Sequence, residues 1–282
     1  MTEDHLGSTA DADLQTLREN DPLAAAAAHR RAGKALLAQS RYQQAEEQYG
    51  SAAACFKELG QREPLARTLT HQAVCCLFLG EQERALPLLT RAERLAAELE
   101  LEDLQAAAAG NLGLAYALDN DYTKAVKEHK RVLEYGEKLE DDQLRLHAQI
   151  NLADCYLQDG RPRQAQGFAL VAHDLAQNTN ARSALVKIYH LLGMISAHQS
   201  DHRQAVTYHQ QASQLAAELG DLQQQGLSLA NQALSLEALT DIPQAVKRLT
   251  SAREILRTIN STYLEKIDRD LKRMKRSLPG PG

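Results

Sequence analysis

An alanine recurs at every fortieth position through most of this chain, and this period constrains the fold more than any other feature. Small or apolar residues recur in two further registers, one on each side of the alanine and at a fixed distance from it. The three registers contain Ala45, Ala85, Ala125, Ala165, Ala205 and Ala245; Gly33, Ala73, Gly113, Ala153, Gly193 and Ala233; and Ala52, Ala92, Val132, Ala172, Ala212 and Ala252. Six copies without an insertion predict a tandem repeat array.

Each copy has the pattern of a helical hairpin. Apolar residues follow helical spacing, and Gly or Asn-Asp breaks separate the two runs in several copies. In the second copy the pattern predicts helix A from about Pro64 to Leu79 and helix B from about Glu81 to Leu99, with Gly80 ending the first helix. Such a hairpin cannot bury its apolar faces alone, so neighbouring copies must stack.

The composition supports an all-α fold and excludes several classes of protein. Hydrophobic residues make up 44% of the chain and are mainly Ala and Leu, while aromatic residues make up 4% and Trp is absent. The net charge of −5 does not favour nucleic acid, and no apolar run reaches the roughly 20 residues of a membrane span. The amino-terminal segment lacks the basic and apolar regions of a signal peptide. We therefore expect a cytoplasmic protein.

The four cysteines lie in predicted helices without the spacing of metal ligands, which predicts buried structural thiols in a reducing compartment. They are Cys55, Cys75, Cys76 and Cys155.

The periodic residues resemble the tetratricopeptide repeat (TPR) family. The residues that carry the resemblance are Leu112, Gly113, Tyr116, Ala125 and Val132 in one copy, and Leu152, Ala153, Tyr156, Ala165 and Ala172 in the next. The resemblance covers about residues 24–259. Because the usual unit has about 34 residues, the 40-residue unit is similar to the long-helix subgroup found in Pins/LGN proteins, kinesin light chains and bacterial Rap-type regulators. The resemblance implies a right-handed α-solenoid that acts as a non-catalytic protein-binding adaptor.

The predicted organisation has four parts. Residues 1–20 are expected to be an acidic disordered tail, and residues 21–260 form six tandem hairpins. Residues 261–277 form a basic amphipathic capping helix, and residues 278–282 form a flexible end. The apolar face of the capping helix contains Tyr263, Leu264, Ile267, Leu271 and Met274. A cap is expected because a terminal repeat otherwise exposes an apolar flank.

No catalytic or metal-binding motif stands out. The chain lacks the phosphate-loop, nucleophile-elbow, HExxH and dinucleotide-binding patterns. His198 and His202 are four residues apart, but a predicted turn at Ser200 and Asp201 interrupts the helix between them. His129 and His209 share a helix-B register with Tyr49 and Leu89, which predicts packing positions. We predict no enzyme activity, no cofactor and no metal.

The family resemblance implies that the A helices line a concave groove. The residues predicted to face a partner there are Arg30, Arg31, Lys34, Arg67, His71, Asn111, His147, Asn151, Asp154, Lys187, His190, Met194 and Asn231. The first two copies are basic on this face, which in a net-acidic chain suits a protein or peptide with acidic residues.

The recurring asparagines of this face have two explanations. Asn is unfavourable in a helix interior because its side chain competes for backbone groups, yet Asn111, Asn151 and Asn231 share one register. They either hold the main chain of a ligand or hydrogen-bond to the neighbouring helix A. Two other functions also remain open, namely a peptide-responsive regulatory array and a module that self-associates through its terminal repeats or its C-terminal helix.

Overall fold

A computed structural model describes residues 21–277, and this part of the chain contains helices and no strand. The helices divide into two compact units at Glu140 and Asp141. The first unit contains α1 (Pro22–Ala38), α2 (Tyr42–Glu58), α3 (Arg62–Phe78), α4 (Gln82–Glu98), α5 (Glu102–Leu118) and α6 (Tyr122–Lys138). The second unit contains α7 (Asp142–Gln158), α8 (Pro162–Asn178), α9 (Arg182–His198), α10 (His202–Leu219), α11 (Leu222–Ala238), α12 (Ile242–Thr258) and α13 (Leu264–Arg276).

The all-α solenoid class is confirmed, and the observed ends of the second hairpin lie within two residues of the predicted ones. Each unit stacks successive antiparallel helices, with A helices α1, α3 and α5 in the first and α7, α9 and α11 in the second. The tails predicted for residues 1–20 and 278–282 lie outside the described residues. Within residues 21–277, no helix combines the length and the hydropathy that a membrane span requires.

Equivalent turns recur twice in each hairpin, at half the period of the alanines. A residue with positive φ ends each turn, and Gly fills this position at Gly60, Gly80, Gly160 and Gly220. In the turns other than the one at Glu140, the amide of the next residue donates to a carbonyl five residues back, as in Gln61 N to Phe56 O at 2.9 Å. This pairing caps the carbonyl end of the helix in a Schellman motif. Non-glycine residues take the same conformation at Ser40, Glu100, Asn120, Glu140, Asn180, Ser200, Thr240 and Asn260.

Aspartates cap the amino end of many helices. The carboxylate of Asp121 accepts a hydrogen bond from Lys124 N at 3.1 Å, which satisfies one of the free amides of the first turn of α6. The same cap occurs at Asp21, Asp141, Asp201, Asp221 and Asp241. These caps fix where each of these helices begins.

A ring packs on a glycine inside every second hairpin. A Cβ added at Gly193 would stand 2.5 Å from His209 Cε1, and one added at Gly113 would stand 2.5 Å from His129 Cε1. Tyr49 lies against Gly33 in the same way, at 3.1 Å. Both histidines are buried, so the prediction that they are packing residues agrees with their positions.

The intervening hairpins have Ala in the glycine register and an aliphatic residue in the ring register. They contain Ala73 with Leu89, Ala153 with Ala169, and Ala233 with Leu249. The repeat therefore alternates between two packing solutions, with a full period of two hairpins.

All four cysteines are buried free thiols, as predicted. Burial raises the pKa of Cys75 and of Cys155 to about 12, so both remain protonated and unreactive at neutral pH.

Helix α13 covers the last hairpin with an apolar face. Ile267, Leu271 and Met274 are buried in one cluster with Leu249 and Leu256 of α12. Tyr263 differs from the sequence-based expectation, because it precedes the helix and its side chain is 45% exposed.

Candidate partner-binding site

In the second unit, three of the predicted residues line a cavity between the A helices and α13. This cavity has a volume of about 260 Å³ and contains His190, Met194 and Asn231 in its wall. A second cavity of about 230 Å³ shares Met194, Asn231 and Leu234 with the first and extends to His198, His202 and His209. We call these two adjoining cavities the α9–α11 groove.

Asn231 and His190 are joined across the groove. His190 Nε2 lies 3.3 Å from the amide nitrogen Nδ2 of Asn231, and His190 Nδ1 lies 3.0 Å from Ser228 Oγ. Because an amide nitrogen can only donate, Nε2 accepts and the proton of the neutral ring is on Nδ1. Burial lowers the pKa of His190 to about 4, which agrees with this neutral state. Asn231 therefore links α11 to α9, as the structural explanation of the asparagines requires.

The groove also contains buried imidazoles with unused hydrogen-bonding capacity. His209 is 1% exposed, and within residues 21–277 no hydrogen-bond partner reaches its Nδ1 or the Nδ1 of the half-buried His202. The rings of His209 and His190 meet edge to face, with centroids 5.3 Å apart. Burial, with a smaller contribution from His190, lowers the pKa of His209 to about 3. The buried imidazoles of His190 and His209 are thus neutral at neutral pH, and the charged residues of the wall include Lys266 and Asp270 at its α13 end.

A third cavity lies between α7 and α9 and is basic. It has a volume of about 460 Å³, and its lining includes His147, Arg182 and Lys187. Arg182 forms an ion pair with Glu218 of α10, whereas Lys187 has no ion pair within residues 21–277. We call this cavity the α7–α9 groove.

The remaining predicted residues of the second unit lie on the surface of α7. Asn151 is exposed and forms no side-chain hydrogen bond within the described residues. Asp154 is exposed and accepts a hydrogen bond from Gln158 Nε2 of the same helix at 3.2 Å.

In the first unit, several predicted residues are occupied by contacts within the protein. Arg67 pairs with Glu63 and Asp103, at 3.0 Å each, and these bonds raise its pKa. The guanidinium of Arg30 lies over the Phe56 ring, 5.7 Å from its centroid. The predicted basic face is therefore less charged than the sequence indicates, because Arg67 is neutralised by two carboxylates.

His71 and Asn111 are also engaged locally. His71 stacks on Tyr49 with centroids 5.4 Å apart, and Asn111 Nδ2 donates to Ala107 O of its own helix at 2.8 Å. Arg31 and Lys34 are exposed and form no ion pair within the described residues.

Sequence reasoning missed several residues of the grooves. Leu234 occupies the register of Met194 in the next copy, so the repeat register alone would have included it. The sequence gives no such signal for Arg182, which lines the α7–α9 groove, or for Ser228, which is the hydrogen-bond partner of His190. The role of each depends on how the neighbouring helix packs. Among residues 21–277, no group of three or more His, Cys, Asp or Glu side chains is arranged to hold a metal ion.

Comparison with known proteins identifies the repeat. Residues 104–178 match the family model for the tetratricopeptide repeat. The matched segment therefore consists of tetratricopeptide repeats. No curated protein matches its sequence. Tetratricopeptide repeats are typical of proteins that bind other proteins.

Solved structures with the same fold include Rap proteins and kinesin light chain repeats. The apo form of RapI has a TM-score of 0.68 and 13% identity over 89% of this chain and 97% of its own. A Rap protein complexed with competence and sporulation factor has a TM-score of 0.62 and 16% identity over 88% and 74%. TPR-like repeats from a Podosopora anserina protein described as a putative kinesin light chain have a TM-score of 0.59 and 16% identity over 70% and 97%. These low identities establish the fold alone.

Proposed function

We propose that this protein is a non-catalytic adaptor that holds an extended or short helical segment of a partner protein along its A helices. The observation that carries the proposal is the α9–α11 groove, where Met194, Asn231 and Leu234 form the common wall of two cavities. An apolar cleft with a few polar groups is the usual form of a binding site. The groove accommodates apolar side chains, and the free carbonyl oxygen of Asn231 accepts a hydrogen bond from the segment.

The neighbouring α7–α9 groove supplies the charge selectivity of the proposed site. Lys187 and His147 line it, and the ammonium group of Lys187 is not neutralised by an ion pair in the described part of the chain. A partner segment with an acidic residue next to apolar ones would satisfy both grooves. Asn151 is a candidate contact to the backbone of that segment, because its amide is exposed.

The proposal is tested by capturing partners from a lysate on the immobilised protein and comparing variants. Met194→Lys places a charge in the apolar groove, and Lys187→Glu reverses the charge of the basic groove. We expect each to reduce recovery of the captured partner by about tenfold or more. Leu170→Lys and Arg163→Glu are matched controls, since both residues are exposed on the B helix α8. Unchanged recovery with both groove variants, at unchanged melting temperature, would reject the proposal.

A peptide-responsive regulatory protein is the second candidate. The structural likeness to a Rap protein complexed with competence and sporulation factor favours it. A regulatory array would change its radius of gyration in solution scattering when the captured segment is added, whereas a rigid adaptor would not.

A further inference from the structure

The last hairpin helix and the cap carry a concentrated positive charge. Residues 242–276 contain ten Lys and Arg against four Asp and Glu, a net charge of +6, whereas the whole chain has −5. The rest of the chain therefore sums to −11. This asymmetry separates a basic end from an acidic remainder, and the adaptor function does not explain it.

The positive charge lies mainly on the outer face of α13. The buried residues Ile267, Leu271 and Met274 define the inner face of this helix. At about 100° per residue, Arg269, Lys272 and Arg276 lie on the opposite side, and all three are exposed. The apolar face is already occupied by α12, so the charged face is the one that remains available to a partner.

Few of these charges are neutralised within the protein. Arg273 pairs with Glu237 at 2.7 Å and with Asp270 at 3.3 Å. The other five cations of α13 form no ion pair within residues 21–277; they are Lys266, Arg269, Lys272, Lys275 and Arg276. Glu265 also forms no ion pair in the described part of the chain, and it lies in the first turn of α13, where the helix dipole favours a negative charge.

The side chains next to this face favour a lipid surface over a nucleic acid. Single-stranded nucleic acids are bound by basic grooves with several aromatic platforms, whereas residues 242–276 contain a single aromatic residue, Tyr263. Tyr263 lines the α9–α11 groove, on the side of α13 away from the cations of the outer face, and α13 itself contains no aromatic residue.

We propose that the outer face of α13 docks on membrane surfaces rich in anionic phospholipids. The helix has 13 residues and a length of about 20 Å, so its cations can contact several headgroups at once. Clusters of four to eight Lys and Arg bind anionic lipid through additive electrostatic attraction. The association is peripheral and reversible, and the outer cations Arg269, Lys272 and Arg276 are not among the residues that line the α9–α11 groove.

Vesicle co-sedimentation of the full chain tests this inference. Vesicles of phosphatidylcholine with about 30% phosphatidylserine are compared with vesicles of phosphatidylcholine alone. The triple variant Arg269→Glu, Lys272→Glu and Arg276→Glu should lower the affinity for the anionic vesicles by about 100-fold. A rise in salt from about 0.1 M to about 0.5 M should abolish wild-type binding, because the interaction is electrostatic.

A second triple variant with the same net charge serves as the control. It carries Lys127→Glu, Lys130→Glu and Arg163→Glu, which replace exposed cations without ion pairs in the described part of the chain. Its vesicle binding should equal that of the wild type, and circular dichroism should show that both variants are folded. Equal losses in the two variants, or equal binding to neutral vesicles, would overturn the inference. Tighter binding to duplex RNA than to the anionic vesicles would also overturn it.

Discussion

At the residue scale, the pairing of Gly193 with His209 shows how one small position determines what its neighbour can be. The ring of His209 occupies the space where a Cβ at residue 193 would stand, 2.5 Å from Cε1. Gly193→Ala should therefore lower the free energy of unfolding by about 1–3 kcal/mol, because a buried ring has nowhere to move. Urea denaturation of the full chain measures this change.

The other hairpins provide the rescue for that substitution. Ala233 with Leu249 is the pair that the sixth hairpin uses in the same two registers. The double variant Gly193→Ala and His209→Leu should recover at least half of the lost stability, and a double-mutant cycle measures the coupling. Additive losses in the cycle would mean that the two registers are not packing partners.

The three asparagines show why one register can have different roles. In the copy before Asn231, the facing position is His190, whose Nε2 can accept a hydrogen bond. The equivalent position before Asn111 is Thr70, whose hydroxyl already donates to Ala66 O at 3.1 Å. Asn111 Nδ2 donates instead to Ala107 O of its own helix. The sequence predicted that the asparagines share one register. Their hydrogen-bond partners depended on a residue of the preceding copy, which the pattern of a single copy does not include.

At the element scale, the cap helix is held by a compact set of apolar contacts. Met274 is fully buried at the inner face of α13, in the cluster that includes Leu249 and Leu256. Met274→Ala should cost about 2–4 kcal/mol, since it removes buried methylenes and leaves a cavity. Lys272→Ala, on the exposed face, should change the stability by less than about 0.5 kcal/mol. Thermal unfolding of both variants checks this, and equal melting temperatures would contradict the buried position of Met274.

The helices and several of their turns were predictable, but the left-handed residue at every twentieth position was not. Alanine registers and apolar spacing predicted helices of the correct type and length, because both reflect close helix packing. The regular period of the turns was hidden, because positive φ is adopted at Glu100, Ser200 and Thr240 as well as at glycines. Local propensity does not indicate a left-handed conformation at such residues. The surrounding helices impose it, since both flanking helices are fixed by packing.

At the scale of the whole molecule, each unit contains imidazoles that are neutral because they are buried. The pKa is lowered to about 4 for His129 in the first unit, and to about 4 for His190 and about 3 for His209 in the second. An unfolded histidine titrates near pH 6.5. The unfolded chain therefore binds more protons than the folded chain between about pH 6.5 and pH 4. The stability is fully present above that window and is lost as the pH falls through it.

We expect the free energy of unfolding to fall between pH 7 and pH 5 by about 2 kcal/mol for each of these histidines. Urea denaturation across this range measures the slope, with His209→Leu in the Gly193→Ala background and His198→Leu as two comparison proteins. The first should have a shallower slope than the wild type, because it lacks one buried imidazole. The second replaces an exposed histidine and controls for the loss of an imidazole from the surface. A wild-type slope in both variants would show that other groups cause the loss of stability in acid.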